Sequence, residues 1–206
     1  MAAVAPHLCL KPRSATAVIA AALLTVIVAC GGTSPTVIPS PAPSPTATPP
    51  PGAHPLSTRT GVPAVDRFLD LWFANDSAAI AAEAVFRERP SSRVFGSVPC
   101  EDGMAEGTLR PAFSFTSCSP RYLFSADELV QALGPQPASG FSYLVAVYEM
   151  PGEPAALGYY VVALGTPAYA RAFYVDREGH LTGSTGCGSG WPPPAGARII
   201  LAPRDQ

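Results

Sequence analysis

Val65-Asp66-Arg67-Phe68-Leu69-Asp70-Leu71-Trp72-Phe73-Ala74-Asn75-Asp76-Ser77-Ala78-Ala79-Ile80 opens the folded part of the chain and sets its character. Val65, Phe68, Leu69, Trp72 and Phe73 recur at i, i+3, i+4, i+7 and i+8, the period of an amphipathic helix with one apolar stripe. Pro63 suits its first turn, where a missing N–H costs nothing. Asn75-Asp76-Ser77 interrupts the stripe and offers a new N-cap. This predicts a second helix from Ala78 to Arg89, stopped by Pro90, with Glu83 and Arg87 paired four apart on its outer face.

Beyond Pro90 the period changes to two. Arg93 to Val98 reads as a strand, and Phe113, Phe115 and Ser117 alternate with Ser114, Thr116 and Cys118 in another. Pro99-Cys100-Glu101-Asp102-Gly103 and Glu106-Gly107 between them read as loop. Ser125-Ala126-Asp127-Glu128 is a capping box that opens a third helix through Leu133. Phe124 and Leu129 are placed as a hydrophobic staple, and Gly134-Pro135 is the stop. An antiparallel meander follows: Phe141 to Met150, a turn at Pro151-Gly152-Glu153-Pro154, Leu157 to Gly165, then Tyr169 to Val175. Asp176-Arg177-Glu178-Gly179 makes a tight hairpin before His180 to Ser184. A Gly-rich stretch and Trp191-Pro192-Pro193-Pro194 come next, and Arg198-Ile199-Ile200-Leu201 offers a last edge strand. Helices and strands in this order indicate an α+β domain.

Upstream of the helix the composition shifts. From Gly31 to about Thr60 the chain is Pro, Ser, Thr and Ala, as in Pro39-Ser40-Pro41-Ala42-Pro43-Ser44-Pro45. Proline removes donors and fixes φ, and small polar residues bury nothing, so this stretch is expected to be a disordered, semi-stiff tether. Before it, Lys11 and Arg13 precede an apolar run from Ala15 to Ala29, the build of a secretory signal and too short for a spanning helix. Ile27-Val28-Ala29-Cys30 resembles the lipobox of bacterial lipoproteins. That resemblance implies acylation of the Cys30 thiol with diacylglycerol and cleavage before it. The division expected is a signal at 1–29, the lipidated Cys30 with its linker at 30–60, and one domain at 61–206. The product would be exported and held at the outer face of the cell membrane through its lipid.

Composition excludes some function classes. Of 13 cations, loss of Lys11 and Arg13 leaves 11, all arginine, against 15 acids: a net charge near −4. No basic stripe suggests nucleic acid as a partner. Histidine is scarce: His7 lies in the signal, His54 in the tether and His180 beside a turn. A nucleophile elbow needs Gly-x-Ser-x-Gly, but Thr182 and Cys187 stand where the first glycine should precede Ser184 and Ser189. The Gly-rich run from Gly183 to Gly190 lacks the lysine and following helix of a phosphate loop. Glu101, Asp102 and Glu106 share a loop without the spacing of a calcium site. No catalytic residue, metal set or cofactor is assigned. Glu149 ends the alternating face Phe141, Tyr143, Val145 and Val147, so it either emerges at the strand's end or needs a partner for its charge. Trp72, Tyr143, Glu149 and Tyr160 are the residues expected to line a pocket. Cys100, Cys118 and Cys187 remain for an oxidising compartment. A Cys100–Cys118 bridge is favoured because the two flank adjacent strand-like runs, with Cys187 the alternative partner of either.

The opening stretch quoted above and Phe173-Tyr174-Val175-Asp176-Arg177-Glu178-Gly179-His180-Leu181 resemble nuclear-transport-factor-2-like domains, over about residues 62–186. The resemblance implies three helices packed on a curved antiparallel sheet, a cone with an apolar cavity. The Asp–His pair of catalytic members has no counterpart here, and the Pro/Gly-rich tail departs from the pattern. The expected function is a non-catalytic binding or interaction module at the cell envelope, for a small apolar ligand or an envelope protein. The alternatives are a small cone-fold isomerase or hydrolase using carboxylates, and a structural envelope component.

Overall fold

Helix α1, Pro63–Phe73, forms where the apolar stripe predicts it, with Pro63 in its first turn and Ala64, Val65, Phe68, Leu69 and Trp72 buried. Asp66 ties down the approach, accepting from Thr60 N and Oγ1 at 2.8 Å each and from Gly61 N at 3.2 Å. The structure is a computed structural model that describes residues 51–55, 57–116, 119–134, 143–150, 159–166, 169–186 and 190–204. The lipobox, the tether before residue 51, Ser117, Cys118, Phe141, the turn at 151–154, Cys187 and Ser189 lie outside them.

Helix α2 covers only Ser77–Ala82, capped by Asp76, whose side chain accepts from Ala79 N at 2.9 Å. Its expected continuation to Arg89 does not form. Val85 N instead bonds Leu181 O at 2.9 Å, and Arg87–Ser92 becomes strand β1. Sheet pairing overrides helix propensity here, because a ladder partner is available and Pro90 would break a helix in any case. Glu83 accordingly pairs with Arg67 of α1 at 2.6 Å, not with Arg87. The strand expected at Arg93–Val98 shrinks to β2, Val98–Pro99. Strand β3 is Leu109–Phe115, with Ala112, Phe113 and Phe115 buried, and β4 is Tyr122–Leu123. Helix α3, Ala126–Leu133, is capped as its sequence predicts. Ser125 Oγ accepts from Glu128 N at 3.2 Å, while Glu128 reaches back to Phe124 N at 2.7 Å.

The meander consists of β5, Leu144–Glu149; β6, Tyr160–Thr166; β7, Tyr169–Val175; and β8, Leu181–Thr185, followed by β9, Arg198–Leu201. The sheet order is β2-β1-β3-β8-β7-β6-β5-β9, with β4 beside β3. The sheet is mixed, which corrects the antiparallel expectation. Strand β8 returns beside β3 in the same direction, Ser114 facing Gly183 and Phe115 facing Ser184, and β2 runs parallel to β1. The long excursion through α3 and the meander allows the β3–β8 pairing, since a parallel pair of this kind needs a crossover that no tight hairpin provides, whereas β1 and β2 meet over two residue pairs only.

Residues of α1, α2 and α3 share one apolar cluster with Phe113, Phe115, Leu123, Leu144, Val147, Val162, Leu164, Phe173, Val175 and Leu181. Val145, Ala146, Tyr148, Val161, Ala163, Ala170 and Ala172 of the meander are buried too. Trp191 packs on Val145, Ala146, Ala163 and Ala170, and Ala197 on the cluster of Tyr148, Val161 and Ala172. Burial pushes the Tyr148 phenol up to about 12, with Tyr174 adding to the effect. Trp191 and Ala197 of the Pro/Gly-rich tail therefore pack on the second face of β5, β6 and β7. Strands covered on both faces read as near-continuous apolar runs, as Leu144–Tyr148 and Val161–Leu164 do.

The end of the expected tether also belongs to the domain. Ala53 is buried, His54 N bonds Leu144 O at 2.7 Å, the His54 ring contacts Ala202 O at 2.6 Å, and Arg204 N bonds Gly52 O at 3.2 Å. Residues 51–55, ahead of the expected boundary at 61, are thus bonded to β5 and to the residues after β9.

Gly165 has φ +133°, and a Cβ there would lie 2.4 Å from the carbonyl oxygen of Tyr169. Gly165→Ala is expected to cost about 1–3 kcal/mol, against about 1–2 kcal/mol for Gly103→Ala, where φ is also positive but space is open. Denaturant midpoints of both variants check this, and an unperturbed Gly165→Ala would show that the β6–β7 turn differs from this geometry.

Candidate functional site

Four elements converge where β5 ends. Glu149 faces Tyr160 across the β5–β6 ladder and Arg198 across the β5–β9 ladder. Tyr159 immediately precedes β6, and Arg177 follows β7 in the hairpin turn. Both Nε and a terminal nitrogen of Arg198 reach Glu149 Oε2. Hydrogen bonds from Tyr159 and then Arg198 hold the Glu149 carboxyl below its ordinary value, with the charges of Arg198 and Arg177 adding to the effect. The Arg177 guanidinium sits 4.1 Å over the Tyr159 ring, and the Tyr159 and Tyr160 rings meet edge-on at 4.9 Å.

The arrangement sets an ion pair beside a cation–π stack at the end of β5. Paired arginines and tyrosine rings present fixed donors and π-faces, the groups that anchor protein interfaces.

Of the four expected pocket residues, the structure brings Glu149 and Tyr160 together. Trp72 lies in the core, 4.5 Å from the Phe173 ring and 5.7 Å from Phe68. Tyr143 stands before the other end of β5, roughly 20 Å along the strand from Glu149. Its carbonyl accepts from Gly165 N at 2.9 Å. His180 belongs to the hairpin: its ring lies 3.3 Å from Asp176 Oδ2, and Asp176 Oδ1 accepts from the backbone of Glu178 and His180. A shallow cleft beside it, lined by Phe68, Leu71, Ile80 and Leu181 among others, holds about 160 Å³ including open solvent, less than a typical ligand site. Glu101 pairs with Arg110, and Glu106 accepts from Ser92 Oγ. Among the described residues no group of His, Cys, Asp and Glu is placed to hold a metal ion.

Sequence reasoning missed Tyr159, Arg177 and Arg198 as neighbours of Glu149, since only the strand register joins them. It also missed Arg171, which is buried on β7. Its guanidinium lies 4.1 Å over Phe115 and donates to Ser184 Oγ at 3.2 Å and Thr116 O at 3.3 Å. Burial, the larger influence, lowers its pKa. The available signal was an arginine between two alanines inside an otherwise apolar strand.

No protein-family model, no curated protein and no solved structure matches the chain.

The depressed Glu149 carboxyl has a signed consequence. Its contribution to stability is present above the ordinary value of 4.5 and is lost as pH falls through the lower folded value. Glu149→Gln is expected to remove that acid-side slope and leave the slope above pH 5 unchanged, measured as urea midpoints from pH 2.5 to 7. Parallel curves for the two proteins would mean that the Tyr159–Arg198 clamp does not act on this carboxyl.

Proposed function

We propose that the protein is an exported, lipid-anchored binding module of a bacterial cell envelope. Cys30 carries the lipid, the proline-rich stretch after it is the spacer, and the domain recognises an envelope protein. The observation that carries the binding reading is geometric: Arg198 on Glu149 and Arg177 stacked over Tyr159 set charged and aromatic groups side by side at one end of the sheet. Such a patch favours a protein surface over a small apolar ligand, because its charged and aromatic groups are already oriented for contact.

We read the domain as the cone suggested by the opening helix and the last hairpin. Supporting this is the single apolar cluster to which all three helices and strands β3–β8 contribute. The Cys100–Cys118 bridge belongs to the same proposal. Cys100 is disulfide-bonded, and the loop before it packs on the segment that follows Cys118. Tyr122 Oη donates to Gly96 O at 3.1 Å, and Pro120 lies 3.4 Å from where a Gly96 Cβ would stand. Non-reducing peptide mapping is expected to return Cys100 linked to Cys118, and recovery of Cys187 on Cys100 would replace this pairing.

The function is tested in cells with a photo-crosslinking residue at position 159. The expected outcome is one discrete adduct with an envelope protein, lost in Arg177→Ala at unchanged melting temperature. Cys30→Ala should abolish fatty-acid labelling and release the chain from the membrane fraction. Persistent labelling in Cys30→Ala would end the lipid-anchor reading. Turnover of a small substrate that disappears in folded Glu149→Gln would end the binding reading in favour of an enzyme.

A further inference from the structure

We propose that Arg87, Arg89 and Arg110 form a binding site for a phosphate-type oxyanion, on a different part of the sheet from the Glu149 cluster and independent of it. Arg89 and Arg110 are directly opposite in the β1–β3 ladder, and Arg87, two residues along, faces Ala112 on the same side. Like charges directly opposed across strands repel, so this register is unfavourable without a counter-charge. Glu101 supplies one carboxylate, 2.6 Å from Arg110. Glu88 alternates onto the other face of β1, and Glu106 accepts from Ser92 Oγ and Arg93 N at the strand's end. Three guanidinium groups thus share one bound carboxylate, an excess of two positive charges.

Aromatic rings orient two of the three. Arg110 lies 4.1 Å from the centre of the Phe124 ring and Arg89 5.9 Å from that of Tyr122. A ring face steadies a guanidinium but leaves its in-plane N–H groups unused. Nε of Arg87, Nε of Arg89 and a terminal nitrogen of Arg110 are shielded from solvent with no hydrogen-bond partner among the described residues. Three shielded donors on one patch call for a bound acceptor, since such groups are nearly always paired. A phosphate offers several oxygens, matches the guanidinium fork with two parallel bonds and, as a dianion, matches the excess charge. A single carboxylate would leave a positive charge uncompensated.

The test uses the full-length protein in detergent, comparing inorganic phosphate with chloride at equal ionic strength. Titration calorimetry is expected to show one site. At phosphate a hundredfold above its Kd, the ratio of folded to unfolded protein should rise about a hundredfold over chloride. Arg87→Gln and Arg89→Gln should each weaken phosphate at least about tenfold, the scale of one lost charged hydrogen bond. Their melting temperatures in chloride should equal or exceed the parent's, because a repelling charge and a shielded donor are gone. Should either fail to fold, Arg89→Lys, which keeps the charge and removes the fork, is expected to show the same loss. Dimethyl phosphate, a monoanion, is expected to bind more weakly than inorganic phosphate, and equal affinity would overturn the dianion match on which the proposal rests. Indistinguishable stability in phosphate and chloride, or unchanged phosphate affinity in the folded variants, overturns the proposal.

Discussion

A meander covered on both faces constrains everything placed on it. In β5, β6 and β7 one set of side chains meets the helices through Val147, Val162, Leu164 and Phe173, while the other lies under Trp191 and Ala197. Neither side offers water to a polar group, so charged and hydroxyl-bearing residues are driven to the strand ends or must bring partners with them. Glu149, Tyr160 and Arg177 are at such ends. Arg171 is the exception in mid-strand, and it is held by the Phe115 ring and by oxygens of Ser184 and Thr116.

The same constraint separates the two polar features of the molecule. Around Glu149 a carboxylate is in direct contact with Arg198, and Tyr159 adds a hydrogen bond. Around Arg89 aromatic rings take the place that carboxylates would fill.

What the sequence disclosed follows from how local each signal is. The α1 stripe, the α3 capping box, the full extent of β7 and the Asp176–Gly179 turn are set by residues within a few positions of one another, and all were legible. The end of α2 was not, because Val85 is claimed by Leu181, almost a hundred residues away. The parallel β3–β8 pair was hidden for the same reason, as was the role of Trp191, which has no apolar period around it to announce a buried partner. At the candidate site Glu149 was legible as a carboxylate on an apolar strand and Tyr160 as one of several tyrosines. Tyr159, Arg177 and Arg198 became its neighbours only through the register of three separate strand pairs.

The fastening of residues 51–55 to the last described residues has a mechanical meaning. His54 bridges Leu144 and contacts Ala202, and Gly52 O receives Arg204 N. A pull on the chain entering at residue 51 is therefore delivered to β5 and to the residues just after β9, before it reaches α1. Strand β5 is an interior strand, bonded along both edges. The load passes into the best-anchored part of the sheet, and the helices and the arginine face of β1 lie downstream of it. Ala202 and Arg204 thus act as the buckle of the strap: without them the bond from His54 N to Leu144 O alone would stand between the same pull and the turn at Thr60 and Asp66.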